Sequence, residues 1–375
     1  MSTRRAWLAA PLAVPLGLWG LGAAHALPVR TLAFPRDHGS HPELRTEWWY
    51  ITGHVQAAGQ LWGFQVTFFR SRVDAAQSLQ SAFAAKQLLF AHAALSDVPG
   101  QRLLHAQRIA RAGFGVAQAN VSDTRIRLHD WTLERSDVSQ SGRSDVPQSG
   151  PRSPASRYAA RIMDGQFGLD LRFDSTQPLL LQGRQGLSRK GPDVQHASYY
   201  YSQPQLSVDG SLWVQGRRLA VVPATGRAWL DHEWSETLLP PDAVGWDWVG
   251  MNLDDGSALT AFRLRRADGS SLWSGGSLRA PQQAVQVFDA GSVEFTPQRF
   301  WSSPQSGARY PVQWRLQTPV GSFQVRARFD NQELGGSGSG TTIYWEGLSD
   351  LLSGAGRSVG RGYLEMTGYA AALRL

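Results

Sequence analysis

The sequence predicts an all-β protein of sandwich or barrel architecture, and three features carry that reading. Apolar residues recur with a period of two: Trp62, Phe64, Val66 and Phe68 point one way, and Gly63, Gln65 and Thr67 the other. Turn strings punctuate the β-rich runs at Ala58-Gly59, Asp209-Gly210, Asp254-Asp255-Gly256, Ala267-Asp268-Gly269 and Val320-Gly321, which read as hairpin connections. Only one stretch of note, Ala75 to Phe90, has a helix-like pattern. Many short strands with regular turns suit a sandwich or barrel.

Along the chain, the first segment is a targeting signal. Arg4 and Arg5 precede an apolar run from Ala6 to Ala24 that ends in Ala24-His25-Ala26. That is the tripartite pattern of a secretory signal peptide, with cleavage expected after Ala26. Pro11 and Pro15 speak against a stable membrane helix, and Thr3-Arg4-Arg5-Ala6-Trp7-Leu8 resembles a twin-arginine signal. The expected location is therefore the periplasm or the outside of the cell. Arg135 to Arg157 holds a near-tandem repeat, RSDVSQSG then RSDVPQSG, with almost nothing to bury, and reads as a disordered loop insertion. Pro223 and Gly226 mark an expected boundary between a β domain at 27–223 and a second at 224–375. Gly335 to Gly340 reads as a flexible interruption of the latter.

Composition narrows the function classes. A chain of 375 residues with 42% apolar content can build two ordinary cores. Without Arg4 and Arg5, 35 basic residues stand against 30 acidic ones, with no basic run that could trace a phosphate backbone, so nucleic acid is excluded as a partner. There is no cysteine, hence no disulfide, thiolate nucleophile or zinc–thiolate site. No H-E-x-x-H or P-loop occurs. The motifs require neither a cofactor nor a resident metal.

Four of the 15 tryptophans fall in one stretch that also carries acids and a histidine: Trp229, Asp231, His232, Glu233 and Trp234, then Gly245, Trp246, Asp247 and Trp248. On a strand, Asp231 and Glu233 share a face with Trp229, while His232 and Trp234 share the other. Paired carboxylates beside aromatic rings suit proton transfer, because burial and like charge raise a carboxyl pKa. The same pattern also suits a buried polar network. A second group, Asp37, His38, His41 and Glu47, precedes Trp48-Trp49-Tyr50. Its imidazoles and carboxylates could ligate an ion, but the spacing fits no zinc signature. It fits better as a polar cap or plug at one end of a barrel, or as groups near a ligand. In Ser198-Tyr199-Tyr200-Tyr201-Ser202, consecutive tyrosines place rings on both faces of a strand, to line a pocket or to pack.

Together these strings resemble the carotenoid 1,2-hydratase/AttH-like family: Phe34-Pro-Arg-Asp-His-Gly39, Glu47-Trp-Trp-Tyr50 with Gly53, Phe64-Gln-Val-Thr-Phe-Phe-Arg70, and Ser198-Tyr-Tyr-Tyr-Ser202 with Pro204. The resemblance continues through Ala228-Trp-Leu-Asp-His-Glu-Trp-Ser235, Gly245-Trp-Asp-Trp248, Tyr310-Pro311, Tyr344-Trp-Glu-Gly347, Gly362-Tyr-Leu-Glu365 and Gly368-Tyr369. It implies two lipocalin-like (calycin) β-barrel or sandwich domains packed together. It also implies a hydrophobic ligand, a lipid or isoprenoid, lined by Trp48, Trp49, Tyr50, Tyr199, Tyr201, Trp229, Trp234, Trp246 and Trp248. For an exported member, the resemblance favours holding such a ligand, as an accessory to an envelope ABC transport permease. The alternative is hydration of an isoprenoid double bond. Asp231 or Asp247 would then be the acid, and His232 or Glu233 would orient it or activate water.

Overall fold

The computed structural model describes residues 26–138, 155–237, 239–335 and 343–373. The expected signal peptide lies outside them but for Ala26, as does the Gly335–Gly340 stretch but for Gly335. Two antiparallel sheets account for the architecture. The first runs, in spatial order, through Arg102–Arg111, Gln87–Asp97, Gln60–Arg72, Thr46–Ala57, Gly226–Ser235, Ala197–Val214, Phe167–Asp174, Ala155–Met163, Trp131–Val138, Arg125–Leu128 and Ala117–Ala119. It curls until Arg125–Leu128 approaches Gln87–Asp97 and Arg102–Arg111, which nearly closes a barrel. The second sheet runs Gln286–Phe288, Ser271–Arg279, Ala258–Arg265, Gly245–Leu253, Ser358–Met366, Tyr344–Ser353, Gly321–Ala327, Arg309–Thr318 and Glu294–Ser302.

Strand alternation sorts the side chains. Trp62, Phe64, Val66 and Phe68 all enter the first barrel's core, as their period of two requires. Val249, Met251, Trp345, Leu351, Leu364 and Met366 fill the second. The opposite faces of the same strands meet in a seam between the barrels, where Tyr50, Trp229, Trp248, Phe262, Leu348 and Tyr363 form a third cluster. Burying a large side chain contributes about 1.5–3 kcal/mol. Several such rings therefore bind the barrels into one body instead of two units on a tether. Gly250 marks how tight the seam is: a Cβ there would sit 2.3 Å from the Trp248 ring and 3.1 Å from Trp229.

Four sequence expectations shift. Ala75–Phe90 is not a helix: a single 3₁₀ turn at Asp74–Ala76 leads through a loop into Gln87–Asp97. That strand pairs along its length with both neighbours, so ladder formation overrides the alanine-rich pattern. Of the expected insertion Arg135–Arg157, Arg135–Val138 and Ala155–Arg157 are paired strand, and 139–154 lie outside the described residues. Arg135 is buried and bonded to Ser156, Asp123 and Asp137. Asp209-Gly210 lies inside the long Ala197–Val214 strand instead of at a hairpin end; the turn comes at Gln215-Gly216, both with positive φ. The first sheet also extends past Pro223, because Gly226–Ser235 is held between Thr46–Ala57 and Ala197–Val214. The string Gly356-Arg-Ser-Val-Gly360 spans the turn into the last strand, Ser358–Met366, with no helix after it, which is no setting for a nucleophile elbow.

Candidate active site

Inside the first barrel, the polar group of the N-terminal motif closes one end of the core. Glu47 Oε1 lies 2.7 Å from His41 Nδ1 and 3.0 Å from His232 Nε2. Its Oε2 accepts from Arg70 Nε at 2.8 Å, Ser40 Oγ at 2.8 Å and the His41 amide at 2.9 Å. Asp37 Oδ1 takes the other nitrogen of His41 at 3.0 Å. His232 Nδ1 lies 3.2 Å from the Tyr201 hydroxyl, which His38 Nδ1 meets at 2.7 Å. Rings stack around them: His41 on Trp234 at 4.0 Å and His232 on Trp49 at 4.6 Å.

Burial would raise the Glu47 carboxyl, but the hydrogen bonds of His232 and His41 outweigh it and hold the group far below the carboxylate range. Burial would lower His41, yet Asp37 and Glu47 on its two nitrogens raise it. Burial pulls His232 down to about 4 against the opposing bond to Glu47. At neutral pH Glu47 is therefore a carboxylate and His232 a neutral imidazole, while His41 is shifted towards its protonated form. The ligand atoms of His41, Glu47 and His232 lie within 4.8 Å of one another, a donor set that suits a divalent ion. Here Glu47 is fully engaged in hydrogen bonds, and the Arg70 guanidinium beside it repels a cation. Both carboxylates of the group are engaged, while His38 Nε2 is buried without a hydrogen-bond partner.

The seam is different. From the first sheet, Trp48, Tyr50, Trp229, Asp231, Glu233, Ser198, Tyr200 and Ser202 face it, with Tyr50 opposite Asp231 and Trp48 opposite Glu233. From the second come Trp246, Trp248, Tyr363, Glu365, Tyr344 and Glu346, with Glu365 flanked across the strands by Trp248 and Glu346. Four carboxyls thus gather within one aromatic enclosure. Asp231 Oδ1 accepts from Ser202 Oγ at 2.5 Å and Trp229 Nε1 at 2.8 Å. Trp248 donates to the Tyr200 hydroxyl at 3.2 Å and packs edge-on against Tyr50 at 5.4 Å. Lys190 is the one cation paired with these carboxyls among the described residues. Its Nζ stands 2.8 Å from Glu233 Oε1 and lies over the rings of Tyr200 and Phe262 at 4.7 and 4.6 Å.

One ammonium cannot balance four carboxylates. Burial lifts Asp231 to about 7, against hydrogen bonds from Ser202 and Trp229 and with a push from Glu233. Burial lifts Glu346 well above its ordinary value, with the like charge of Glu365 adding to it. Glu365 is raised mainly by burial, against the Trp246 indole, and further by Asp231 and Glu233. The seam therefore holds neutral carboxylic acids near physiological pH, coupled so that their protons belong to the group. Glu346 Oε1 and the hydroxyls of Tyr50 and Tyr363 are buried without a hydrogen-bond partner. Unsatisfied polar atoms that converge in an apolar enclosure are costly in a fold and common where a ligand or water binds. Trp48, Trp246 and Glu365 keep accessible surface at this end, whereas Asp231 and Glu346 are only 3% and 2% exposed. A cavity of about 340 Å³ opens at the far end of the seam among His54, Arg227, Asn252 and Arg361, four residues along each strand from Tyr50, Asp231, Trp248 and Glu365. Another, of about 440 Å³ beside Arg299, Trp301 and Asp330, touches none of the acids.

The expected catalytic set is thereby divided. Asp231 and Glu233 share the seam; His232 points the other way, into the first barrel, as its alternate position demands. Asp247 faces the second barrel, bound to Arg263 Nε at 2.7 Å and the Tyr369 hydroxyl at 2.9 Å, with Arg265 Nε at 3.4 Å. It belongs to a separate ion-pair cluster, because Trp246 and Trp248 on either side take the seam face. Of the expected aromatic lining, Trp48, Tyr50, Trp229, Trp246 and Trp248 face the seam. Trp49, Tyr199, Tyr201 and Trp234 line the first barrel's interior. The sequence alone pointed to no role for Glu346, Glu365, Tyr363 or Lys190. The available signal was period two in Tyr344-Trp-Glu and Tyr363-Leu-Glu, which sets each glutamate on the face of a tyrosine.

A family model described as AttH-like matches residues 25–369. A Nitrosomonas europaea protein assigned to AttH is similar in structure, with 41% identity over 92% of this chain and 99% of that one, at a TM-score of 0.80. Kievitone hydratase from Nectria haematococca shares the fold at 15% identity, covering 91% of this chain and 94% of its own, with a TM-score of 0.68. CghA does so at 14% identity over 88% and 89%, with a TM-score of 0.51. No curated protein matches the chain in sequence.

Proposed function

The chain belongs to the AttH-like family, and from that premise we propose that it is a hydratase-type acid–base catalyst. Its substrate would be a hydrophobic, isoprenoid-like molecule whose carbon–carbon double bond reaches the seam between the barrels. One observation carries the reading: coupled, proton-holding carboxyls, Asp231, Glu346 and Glu365, enclosed with Tyr50, Trp229 and Trp248. Kievitone hydratase, a hydratase by name, has the same architecture and lends the reading support at the level of fold.

In this reading a seam carboxylic acid gives its proton to the less substituted alkene carbon. The π bond breaks as the new C–H bond forms, leaving a carbocation on the neighbouring carbon. The faces of Trp229, Trp248 and Tyr50 stabilise that cation. Water adds its oxygen to the cation, and the surplus proton passes to a carboxylate of the same group, which restores the starting state. The sum is alkene plus water to alcohol. In this proposal the Tyr50 and Tyr363 hydroxyls, which lack a hydrogen-bond partner, would hold that water. An exported location, expected from residues 1–26, is part of the proposal and is checked by cell fractionation.

The test is incubation of the purified chain with detergent-dispersed neurosporene in ¹⁸O-water, followed by mass spectrometry. Incorporation of one labelled oxygen as an alcohol, lost in Glu365→Gln and Asp231→Asn, is the expected result. Tight binding without label in any product would return the protein to a ligand-holding role beside an envelope transporter.

A further inference from the structure

A second surface feature lies on the first barrel at the end where the acids sit. The loop between Gln60–Arg72 and Gln87–Asp97 exposes Leu79 and Phe83, the latter 72% exposed, and the loop after Arg102–Arg111 exposes Phe114 at 58%. The two phenyl rings are parallel, 5.4 Å apart. The Arg111 guanidinium lies over both, at 5.5 and 4.1 Å. Phe114 sits at φ 55°, a left-handed conformation that bulky residues rarely adopt. Exposed stacked phenylalanines cost solubility and do nothing for the core, so a folded role does not explain them.

The surroundings are cationic and apolar. Lys86 is exposed in the first loop, and Arg127 Nη2 lies against Gly115 in the second. Among the described residues, Arg111, Lys86 and Arg127 pair with no carboxylate; Arg111 is half-buried, with its Nη1 covered and without a hydrogen-bond partner. Nearby acids are already engaged, Asp74 by Arg72 and Asp130 by Arg108. Exposed Ile109 extends the patch, and the cross-strand row Ile109, Phe90, Phe69 leads back across the sheet's outer face towards the seam side.

We propose that Phe83, Phe114, Leu79 and Ile109, with Arg111, Lys86 and Arg127, form a docking surface for a lipid bilayer that carries anionic headgroups. Loop tips with aromatic side chains enter the interface, while guanidinium and ammonium groups meet phosphates. The combination of exposed phenyl rings with unpaired basic groups matches an anionic lipid interface, where apolar and phosphate-binding groups are needed side by side. Strand register puts both loops at the Thr46/Ser235 end of the barrel, the end of Trp48 and Glu233. Docking there would bring the acid end of the seam to the lipid. The patch stands without the hydratase reading; only the link to a membrane-dissolved substrate rests on it.

The absence of cysteine makes the test local. Leu79→Cys carries a single environment-sensitive fluorophore in the full chain, with Val222→Cys at the opposite barrel end as the control site. Vesicles of phosphatidylcholine with phosphatidylglycerol should shift the position-79 emission to the blue. Phosphatidylcholine alone should do so weakly, and Phe83→Ser with Phe114→Ser should weaken binding on the order of tenfold or more. Three results would overturn the proposal: no shift with anionic vesicles, an equal shift at position 222, or a shift retained in the double serine variant. None bears on ¹⁸O incorporation from detergent-dispersed substrate, so the two readings fail separately.

Discussion

Asp231→Asn should stabilise the protein above neutral pH while abolishing hydration, and this opposition is the sharpest consequence of the seam. The folded state raises the Asp231 carboxyl from 3.8 to about 7. At about 1.4 kcal/mol for each factor of ten, ionising it inside the fold costs roughly 4 kcal/mol more than ionising it in the unfolded chain. Relaxation of the site reduces this, so a gain of about 1–4 kcal/mol is expected for a neutral replacement at alkaline pH. The sign follows from proton binding. The folded protein holds this proton more tightly, so its contribution is complete below the unfolded value of 3.8 and is lost as pH rises through about 7. Asparagine does not titrate, and its carbonyl oxygen can still accept from Ser202 and Trp229. Urea unfolding followed by tryptophan fluorescence, from about pH 5 to about pH 9, measures the difference. The gap between variant and wild type should widen up to about pH 7 and then level off. A gap that stays flat, or a variant less stable at the alkaline end, would refute the account of Asp231 as a proton-holding acid.

Other outcomes follow from the same geometry. Glu365→Gln removes a donor but keeps its shape, so hydration should fall at least about a hundredfold with little loss of stability, read by turnover and thermal melting together. Wild-type turnover should decline as pH rises past about 7, where the acids lose their protons, and a pH–rate profile that rises instead would contradict this. Glu47→Gln strands the charge of the buried Arg70 and should cost about 3–5 kcal/mol in unfolding free energy. Because Glu47 is depressed in the fold, its contribution exists above the unfolded value of 4.5 and fades on acidification; the glutamine variant should lose that part of the acid sensitivity. Asp247→Asn should lower stability through Arg263 and Tyr369 yet leave the turnover rate constant unchanged.

The fold was legible wherever local periodicity decides burial. Trp62 to Phe68 announced a strand, and the alternation of Trp229, Asp231 and Glu233 against His232 and Trp234 put them on the faces they occupy. Ala75–Phe90 misled because its last residues, Gln87–Phe90, are drawn into the ladder between the strands on either side, which outweighs local propensity. The site was half legible for the same reason. Asp231 and Glu233 stand next to Trp229 in sequence, but Glu346 and Glu365 reach them only through the packing of one sheet on another. Asp247 looked like their partner because it is near in sequence; one residue of register turns it into the second barrel.

The central claim is that the seam stores protons at neutral pH, and infrared difference spectroscopy tests it directly. At about pH 7, wild type minus Asp231→Asn and wild type minus Glu365→Gln should each reveal the C=O stretch of a protonated carboxylic acid, one that shifts in deuterated water. Carboxylate bands alone, with no protonated carbonyl lost in either variant, would contradict the account.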